Sequence, residues 1–561
     1  MDGKNGIKGQ TPDDAVGKPT ADELKPHRLG VYGGDTESGE GRGDKPTRLP
    51  MLREGHAADW GPAIRICWGV KVKGKRRPRC GEEVSDVRVI EEVMKLINEF
   101  LDRVERHRDV LLGESTTPFD KAINDLNGWL MAMEEKAKES NDPTTTELRK
   151  AMIDIGRKML QLARQARKKW LTAYRKELEE LIEKLRRGEI MIIVRGEALN
   201  KNKSFGIYFY ARNITIIISK VANSNSVIIH TVLVGLRGTD IVIPRLFGDD
   251  VLKPMRYGLM MTDGSIDKRG YLVMNTNQLW QSVMWILTWP GRNAMCIASM
   301  NLNETNVNIK WRLTAVDHRN EVESKTKVAE EVSKLSDEEF LTFLLFTIFG
   351  DGDINVGVKR IGLTIGDLKH ELWRGIIERI KNLGFKDHNN RNTKEYMIHS
   401  SKAVELARKW LSNALIRVMI EDLSSLPDAE KLRRLVALAS AKVKPRGRSS
   451  VEVAGVRMNV RVGNNRVELV IMRSRLEDAE TILKKLRNAG YNAKLSKRNK
   501  NFAVYINNDE IKKYPELVAK VCEVLRRMHE EAVNEGKTER AWRVAKAMAN
   551  LNCPAQGPRA Q

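Results

Sequence analysis

Two segments 88 residues apart constrain this chain more than any other feature. The first runs Gly258-Leu259-Met260-Met261-Thr262-Asp263-Gly264-Ser265-Ile266, and the second Leu344-Leu345-Phe346-Thr347-Ile348-Phe349-Gly350-Asp351-Gly352-Asp353-Ile354. Each passes from an apolar, helix-like stretch through Asp-Gly directly into a strand-like one. A glycine after a helix is an ordinary stop signal, so two helix C-caps would explain the glycines. They would not explain the aspartates. An acid in the last helical turn faces the negative end of the macrodipole, at a cost of about 0.3–1 kcal/mol unless a cation compensates.

The stretches downstream of the two segments are also alike. After Asp263, the stretch Asp267 to Gly270 turns a hairpin, YLVMN returns as a strand, Leu279 to Leu287 is helical, and AMCIASMNL and VNIKWRLTAV are strands. After Asp351 come INVGV and RIGLTI, joined tightly around Lys359, then a helix predicted over Asp367 to Leu383 and closed by Gly384. A strand after Phe385, the strand EYMIH and a helix over Lys402 to Ala414 complete the set.

Motif, spacing and context together resemble the LAGLIDADG homing-endonuclease-like superfamily, in its members that carry both halves in one chain. The fold class expected is α+β. Tandem αββαββα half-domains with pseudo-twofold symmetry are expected after a helical region and a small β-rich unit. The resemblance implies that the two motif helices pack side by side and bring Asp263 and Asp351 to the floor of a DNA-binding saddle. Two carboxylates there would repel each other, and Mg²⁺, a hard ion with oxygen ligands, would relieve that. The function implied is metal-dependent, site-specific cleavage of DNA, with Asp263 and Asp351 as catalytic metal ligands. A basic or amide side chain beside the metal falls to Lys369 or Asn277, although no motif fixes either. Strand alternation offers Arg269 and Asn275 in the first half and Asn355, Lys359 and Thr364 in the second as DNA contacts. Gly258 suits close helix packing, whereas Leu345 and Phe346 are bulkier than the small residues such helices carry, which argues against a tight approach.

A weaker third echo is Leu435 to Lys442, with Lys442 lying 91 positions after Asp351 and standing where an acid would be. VRMNVRV, VELVIM, a helix over Leu476 to Ala489, NAKLS, FAVYI and a last helix over Glu510 to Glu531 come after it. Arg457, Asn459 and Arg461 there alternate with Met458 and Val460, giving a basic face that could meet DNA. The expected organisation is a disordered tail (1–62), a basic helical region (63–189), a small β-rich unit (190–250), half 1 (251–334), half 2 (335–425), a degenerate third unit (426–531) and a tail (532–561).

Composition supports a polyanionic partner. Lys plus Arg number 97 against 74 Asp plus Glu, a net charge of +23. Neutralising phosphates with such a surplus releases counterions and drives binding. Charge alone does not separate DNA from RNA, an acidic partner or an anionic membrane. Double-stranded DNA is what the resemblance implies, with RNA left open. The basic runs Lys71 to Arg79 and Arg164 to Lys169 are either phosphate contacts or solvated faces. Five scattered cysteines show no CxxC pair, so neither disulfides nor zinc are expected. The apolar stretch Phe340 to Phe349 is about half a membrane span, and no signal peptide is readable. A soluble, intracellular, monomeric protein is expected. Two other readings stay in view. One is a non-catalytic relative of the same fold acting as a regulator or RNA-splicing factor. The other is a transposase-type nuclease, disfavoured because its acids usually sit on strands. In overall organisation the chain also resembles, more loosely, archaeal multicopy repeat-element proteins of the PaRep type, which implies a mobile-element origin.

Overall fold

A computed structural model describes residues 64–70, 78–200, 202–222, 226–366, 369–390, 393–443, 448–463, 466–499 and 501–554. The expected tail over 1–62 and most of the run Lys71 to Arg79 lie outside the described residues. The chain divides into two compact units after residue 441.

The first unit opens with β1 (Arg65–Val70) and β2 (Arg79–Glu83), an antiparallel pair bridged by a Cys67–Cys80 disulfide. The helices α1 (Val87–Arg106), α2 (Arg108–Leu112), α3 (Asp120–Lys138), α4 (Pro143–Lys169) and α5 (Arg175–Arg187) come next. One π-helical turn, Trp170–Tyr174, joins α4 to α5, so the amphipathic stretch is one long helix with a bulge. Its apolar stripe, with Met159, Leu162, Trp170 and Leu178, is buried. The basic stretch at its centre is largely engaged within the protein: Arg167 bonds Asp120, Arg164 bonds Asn127, and Lys169 bonds the Gly235 carbonyl.

The chain continues into β3 (Met191–Gly196), β4 (Phe205–Tyr210), β5 (Ile214–Lys220), β6 (Val227–Leu233) and β7 (Thr239–Ile243). The first motif region then forms α6 (Asp249–Met261), β8 (Gly264–Ile266), β9 (Leu272–Thr276), α7 (Leu279–Leu287), β10 (Gly291–Leu302), β11 (Val307–Ala315) and α8 (Lys325–Lys334). The second forms α9 (Asp337–Asp351), β12 (Gly352–Asn355), β13 (Arg360–Gly366), α10 (Arg374–Asn382), β14 (Lys386–Asn390), β15 (Thr393–His399) and α11 (Ser400–Trp410). Helices α12 (Ala414–Leu423) and α13 (Glu430–Ala439) close the unit. Helix α10 begins seven residues later than the sequence predicts, because the backbone at Trp373 still closes tight turns onto Lys369 and His370.

Strand order is the same in both regions: β8-β9-β11-β10 and β12-β13-β15-β14, so the first, second, fourth and third strands lie side by side. The surroundings differ. On the first side, β10 continues into β6, β5, β4, β3, β1 and β2, so the strands read as a separate small unit belong to one eleven-stranded sheet. Sequence periodicity marks strands but cannot say which edge they join. The long helix α4 packs against α7, β7, β10 and α12, and buried Asp422 of α12 takes Lys136 at 2.8 Å and Arg149 at 2.8 Å. The helical front is therefore part of the same core as both motif regions.

The second unit contains β16 (Ser450–Val453), β17 (Val456–Val462), β18 (Val467–Arg473), α14 (Leu476–Asn488), β19 (Lys494–Arg498), β20 (Asn501–Ile506), α15 (Asn508–Ile511), α16 (Pro515–Asn534) and α17 (Thr538–Asn550). Its sheet runs β16-β17-β18-β20-β19, the same first-second-fourth-third order with one added edge strand. The segment read as a tail from 532 instead holds α17, whose Val544 and Ala547 enter the core, and Cys553 beyond it bonds Cys522 of α16. Paired cysteines thus replace the expectation of free ones, leaving Cys296 unpaired. The partners are 13 and 31 positions apart. No spacing motif announces them; a β-ladder and a returning helix bring them together.

Candidate nucleic-acid interface and acid centre

Helices α6 and α9 pack against one another along their apolar faces. The contact is made by positions 88 apart. A Cβ added to Gly258 would stand 2.6 Å from the Phe343 carbonyl oxygen, 2.7 Å from Phe346 Cβ and 2.9 Å from Thr347 N. A Cβ on Gly350 would stand 2.2 Å from Thr262 Oγ1 and 2.4 Å from Thr262 Cβ. Gly258 and Phe346, and Thr262 and Gly350, are therefore corresponding residues in mutual contact. Phe346 and Leu345, expected to hold the helices apart, are wholly buried; Gly258 supplies the space that Phe346 fills. Gly258→Ala should therefore cost about 1–3 kcal/mol by overpacking against backbone atoms, read as a lower urea midpoint with unchanged slope.

Asp263 and Asp351 directly follow Thr262 and Gly350, so this contact brings the helix ends that carry the two acids together. The glycines after them serve a purpose other than a left-handed cap. Gly352 has φ −91°, but a Cβ there would lie 2.6 Å from Ile348 Cα, and one on Gly264 2.9 Å from Met260 Cα. The chain turns back across its own last helical turn, where only hydrogen fits.

The charge environment of these helix ends is built by residues that sequence reasoning missed. Gln281 of α7 donates from Nε2 to Asp263 Oδ2 at 2.5 Å, and Thr276 donates to Gln281 Oε1 at 2.5 Å. The amide at Asp263 is therefore that of Gln281, four positions after the candidate Asn277. Lys325 Nζ donates to the Thr262 carbonyl at 3.2 Å. Lys431 Nζ donates to the carbonyls of Ile348 at 3.2 Å, Phe349 at 2.9 Å and Gly350 at 2.9 Å. Burial pushes the Lys431 ammonium below the usual lysine range, while the carboxylates of Asp263, Asp351 and Asp353 oppose that shift. Three carbonyl acceptors require three N–H donors, which only the charged form supplies. Lys431 lies in the first turn of α13, the helix expected to begin the third unit; α13 packs instead against α11, α12 and β12 of the first. Its last carbonyl, at Ala439, and that of Ala441 just beyond it accept from Arg408.

Three residues upstream, Asp428 Oδ2 accepts the amide of Leu279 at the start of α7, while its buried Oδ1 has no donor among the described residues. Burial raises the Asp428 carboxyl to about 6. Since the folded value lies above the unfolded one, this group favours folding below pH ~4 and withdraws that contribution as pH rises to ~6. Between pH ~4 and ~6 the Asp428 contribution to urea stability should decline in the wild-type protein, and Asp428→Asn, which keeps an acceptor for Leu279, should remove that decline.

A divalent ion at this centre would draw on the two carboxylates and on the carbonyls of Thr262 and Gly350. Both carbonyls already accept lysine ammonium groups, and one oxygen of Asp263 accepts Gln281. Among the described residues no group of three or more His, Cys, Asp or Glu is placed to hold a metal. The residues present do not fit an oxygen-rich Mg²⁺ seat.

The sheets offer polar faces away from the core. On β11, Asn308, Lys310, Arg312 and Thr314 are partly exposed while Ile309, Trp311, Leu313 and Ala315 are buried. Asn275 sits opposite Arg312, so this candidate lies on that polar face. Arg269 is at the β8–β9 turn, ion-paired with Asp267 at 3.1 Å and stacked on Tyr271. On the second sheet, Thr364 is exposed opposite Glu395, and Arg360 lies opposite Asn355 and His399. The Asn355 side chain accepts from the Val358 amide at 3.2 Å, steadying a turn in which Lys359 takes φ +49°. Lys369 lies in the turn that leads from β13 towards α10. In the second unit Arg457, Asn459 and Arg461 are exposed on one face of β17, but Arg457 stands opposite Glu452 and Arg461 opposite Glu468, which offsets their charge.

No family model matches the sequence, and no curated protein matches it. Two solved structures are similar over 37% of this chain. One is the LAGLIDADG meganuclease I-AabMI bound to uncleaved DNA, at 13% identity and a TM-score of 0.11, with 97% of that chain covered. The other is a point mutant of I-SmaMI, at 10% identity and a TM-score of 0.10, with 92% of that chain covered. No helix among the described residues is long and apolar enough to cross a membrane.

Proposed function

We propose that this chain binds double-stranded DNA across the polar faces of its two corresponding sheets, as a pseudo-twofold pair of LAGLIDADG-like halves. The observation that carries this reading is the pairing of Gly258 with Phe346 and Thr262 with Gly350. Contact between residues related by one constant offset is what a twofold axis between two copies produces. With identical strand order on either side, such an axis presents two sheets symmetrically to a duplex whose backbones are themselves related by twofold axes. Lys310, Arg312 and Asn275 in the first half, with Thr364 and Arg360 in the second, are the side chains for phosphates and base edges. The test is a gel-shift selection from a randomised duplex library, with bound fragments sequenced. Absence of any duplex binding at low salt would sink the proposal.

A second reading, strand cleavage dependent on Mg²⁺, is favoured by one observation, two aspartates borne on helix ends that meet, and opposed by the lysine ammonium groups already bonded to the carbonyls there. In that reading Asp263→Asn and Asp351→Asn each abolish cutting of the same library while leaving binding intact, because Lys and Arg supply most of the affinity. If the wild-type protein binds but yields no cut fragments with Mg²⁺ or Mn²⁺, the acids have a structural role.

A further inference from the structure

We infer that Lys325 and Lys431 are the resident cations of the acid centre, standing where a divalent ion would otherwise compensate Asp263 and Asp351. Thr262, the residue after α6, and Gly350, in the last turn of α9, are corresponding residues, and each of their carbonyls accepts a lysine ammonium. The lysines come from unrelated places. Lys325 is the first residue of α8, and Lys431 lies on α13, with no counterpart one repeat earlier. The two ends have thus acquired the same partner chemistry by different routes, as expected where a positive charge is required at each.

Electrostatics gives the reason. Each helix end combines a carboxylate with unsatisfied carbonyls, and the two ends meet. A cation at each offsets both the macrodipole and the acid. Lys431 spans the Ile348, Phe349 and Gly350 carbonyls near the end of α9 and lies within the influence of three carboxylates. Mg²⁺ seeks near-octahedral oxygen coordination and gives up its waters reluctantly, so it competes poorly for oxygens already bonded to ammonium. Elsewhere in the fold the same device recurs: Arg379 donates to the Val332 and Leu335 carbonyls at the end of α8, and Arg433 to those of Ser424 and Leu426 after α12. Ending helices on internal cations is a habit of this chain, and the acid centre shares it. This inference rests on the geometry of the helix ends and not on DNA binding, which gel shift measures separately.

The test is Mn²⁺ titration of the full chain, followed by electron paramagnetic resonance of the free ion, with thermal unfolding in EDTA and in Mg²⁺ at matched ionic strength. The wild-type protein should show no saturable Mn²⁺ site that Asp263→Asn or Asp351→Asn removes, and no Mg²⁺-dependent change in midpoint. The double variant Lys325→Met/Lys431→Met should unfold at lower temperature in EDTA. It should also gain a saturable Mn²⁺ site and a midpoint rise of roughly 2–4 °C with Mg²⁺, both lost on adding Asp351→Asn. A wild-type Mn²⁺ site abolished by either aspartate change overturns the inference, as does a folded double variant that gains no site. Should the double variant fail to fold, the wild-type and aspartate-variant titrations decide alone.

Discussion

Lys431→Met should destabilise the first unit by about 3 kcal/mol, the low end of what removing one partner from a buried charge cluster costs, because this lysine keeps some contact with solvent. Methionine retains the stem's volume, so the loss falls on the ammonium. Without it the carbonyls of Ile348, Phe349 and Gly350 lose their donor. Asp263, Asp351 and Asp353 lose the charge that offsets them. Urea unfolding at neutral pH measures the effect. Coupling distinguishes it from a packing defect: in an Asp351→Asn background the same change should cost less, by about 0.5–3 kcal/mol. Equal costs in the two backgrounds would mean that lysine and acid act independently, and that only the helix end requires the cation. Lys325→Met, which removes the hydrogen bond to the Thr262 carbonyl where Lys431 serves three carbonyls, should have the smaller effect.

Affinity for duplex DNA should fall by about 10³–10⁵-fold between about 50 and 200 mM salt, as for a protein making roughly 6–10 phosphate contacts. The formal charge of +23 overstates what is available. Lys136, Arg149, Arg167, Arg379, Arg408, Lys431 and Arg433 are all bonded within the first unit, which makes the sheet faces the better source of contacts. Fluorescence anisotropy across a salt series gives the slope. Arg312→Ala should weaken all sequences alike and lower the slope by about one if it contacts phosphate. It should relax one base position if it reads an edge. A complex indifferent to salt would point to an acidic protein or a small molecule as the partner.

Much of the second half was legible because its pieces are bounded by strong local signals. Ser336 and Glu339 form a reciprocal capping box at the start of α9, and Ile361, Leu363 and Ile365 alternate along β13. Gly384 takes the left-handed conformation, φ +101°, that ends many helices. Helix α10 was overextended because apolar periodicity continues through residues whose backbone makes tight turns instead. The reading of α13 as the opening of a third repeat misjudged its partners. The 3.6-residue stripe of Leu432, Leu435 and Leu438 says that one face is buried, not against what.

The sequence by itself determined the elements, the offset of 88 between Asp263 and Asp351, and the requirement that something positive meet two acids at helix ends, since dipoles and charges are properties of local chain chemistry. Tertiary structure alone decided what meets them. Lys431 lies 80 positions after Asp351 and Gln281 18 after Asp263, and no periodicity links such residues; only packing of α13 and α7 beside the motif helices brings them there. Folding likewise decided that β3 to β6 extend the first sheet rather than form their own. A strand edge hydrogen-bonds through its backbone, which is the same for almost every residue and so leaves no mark in the order of side chains.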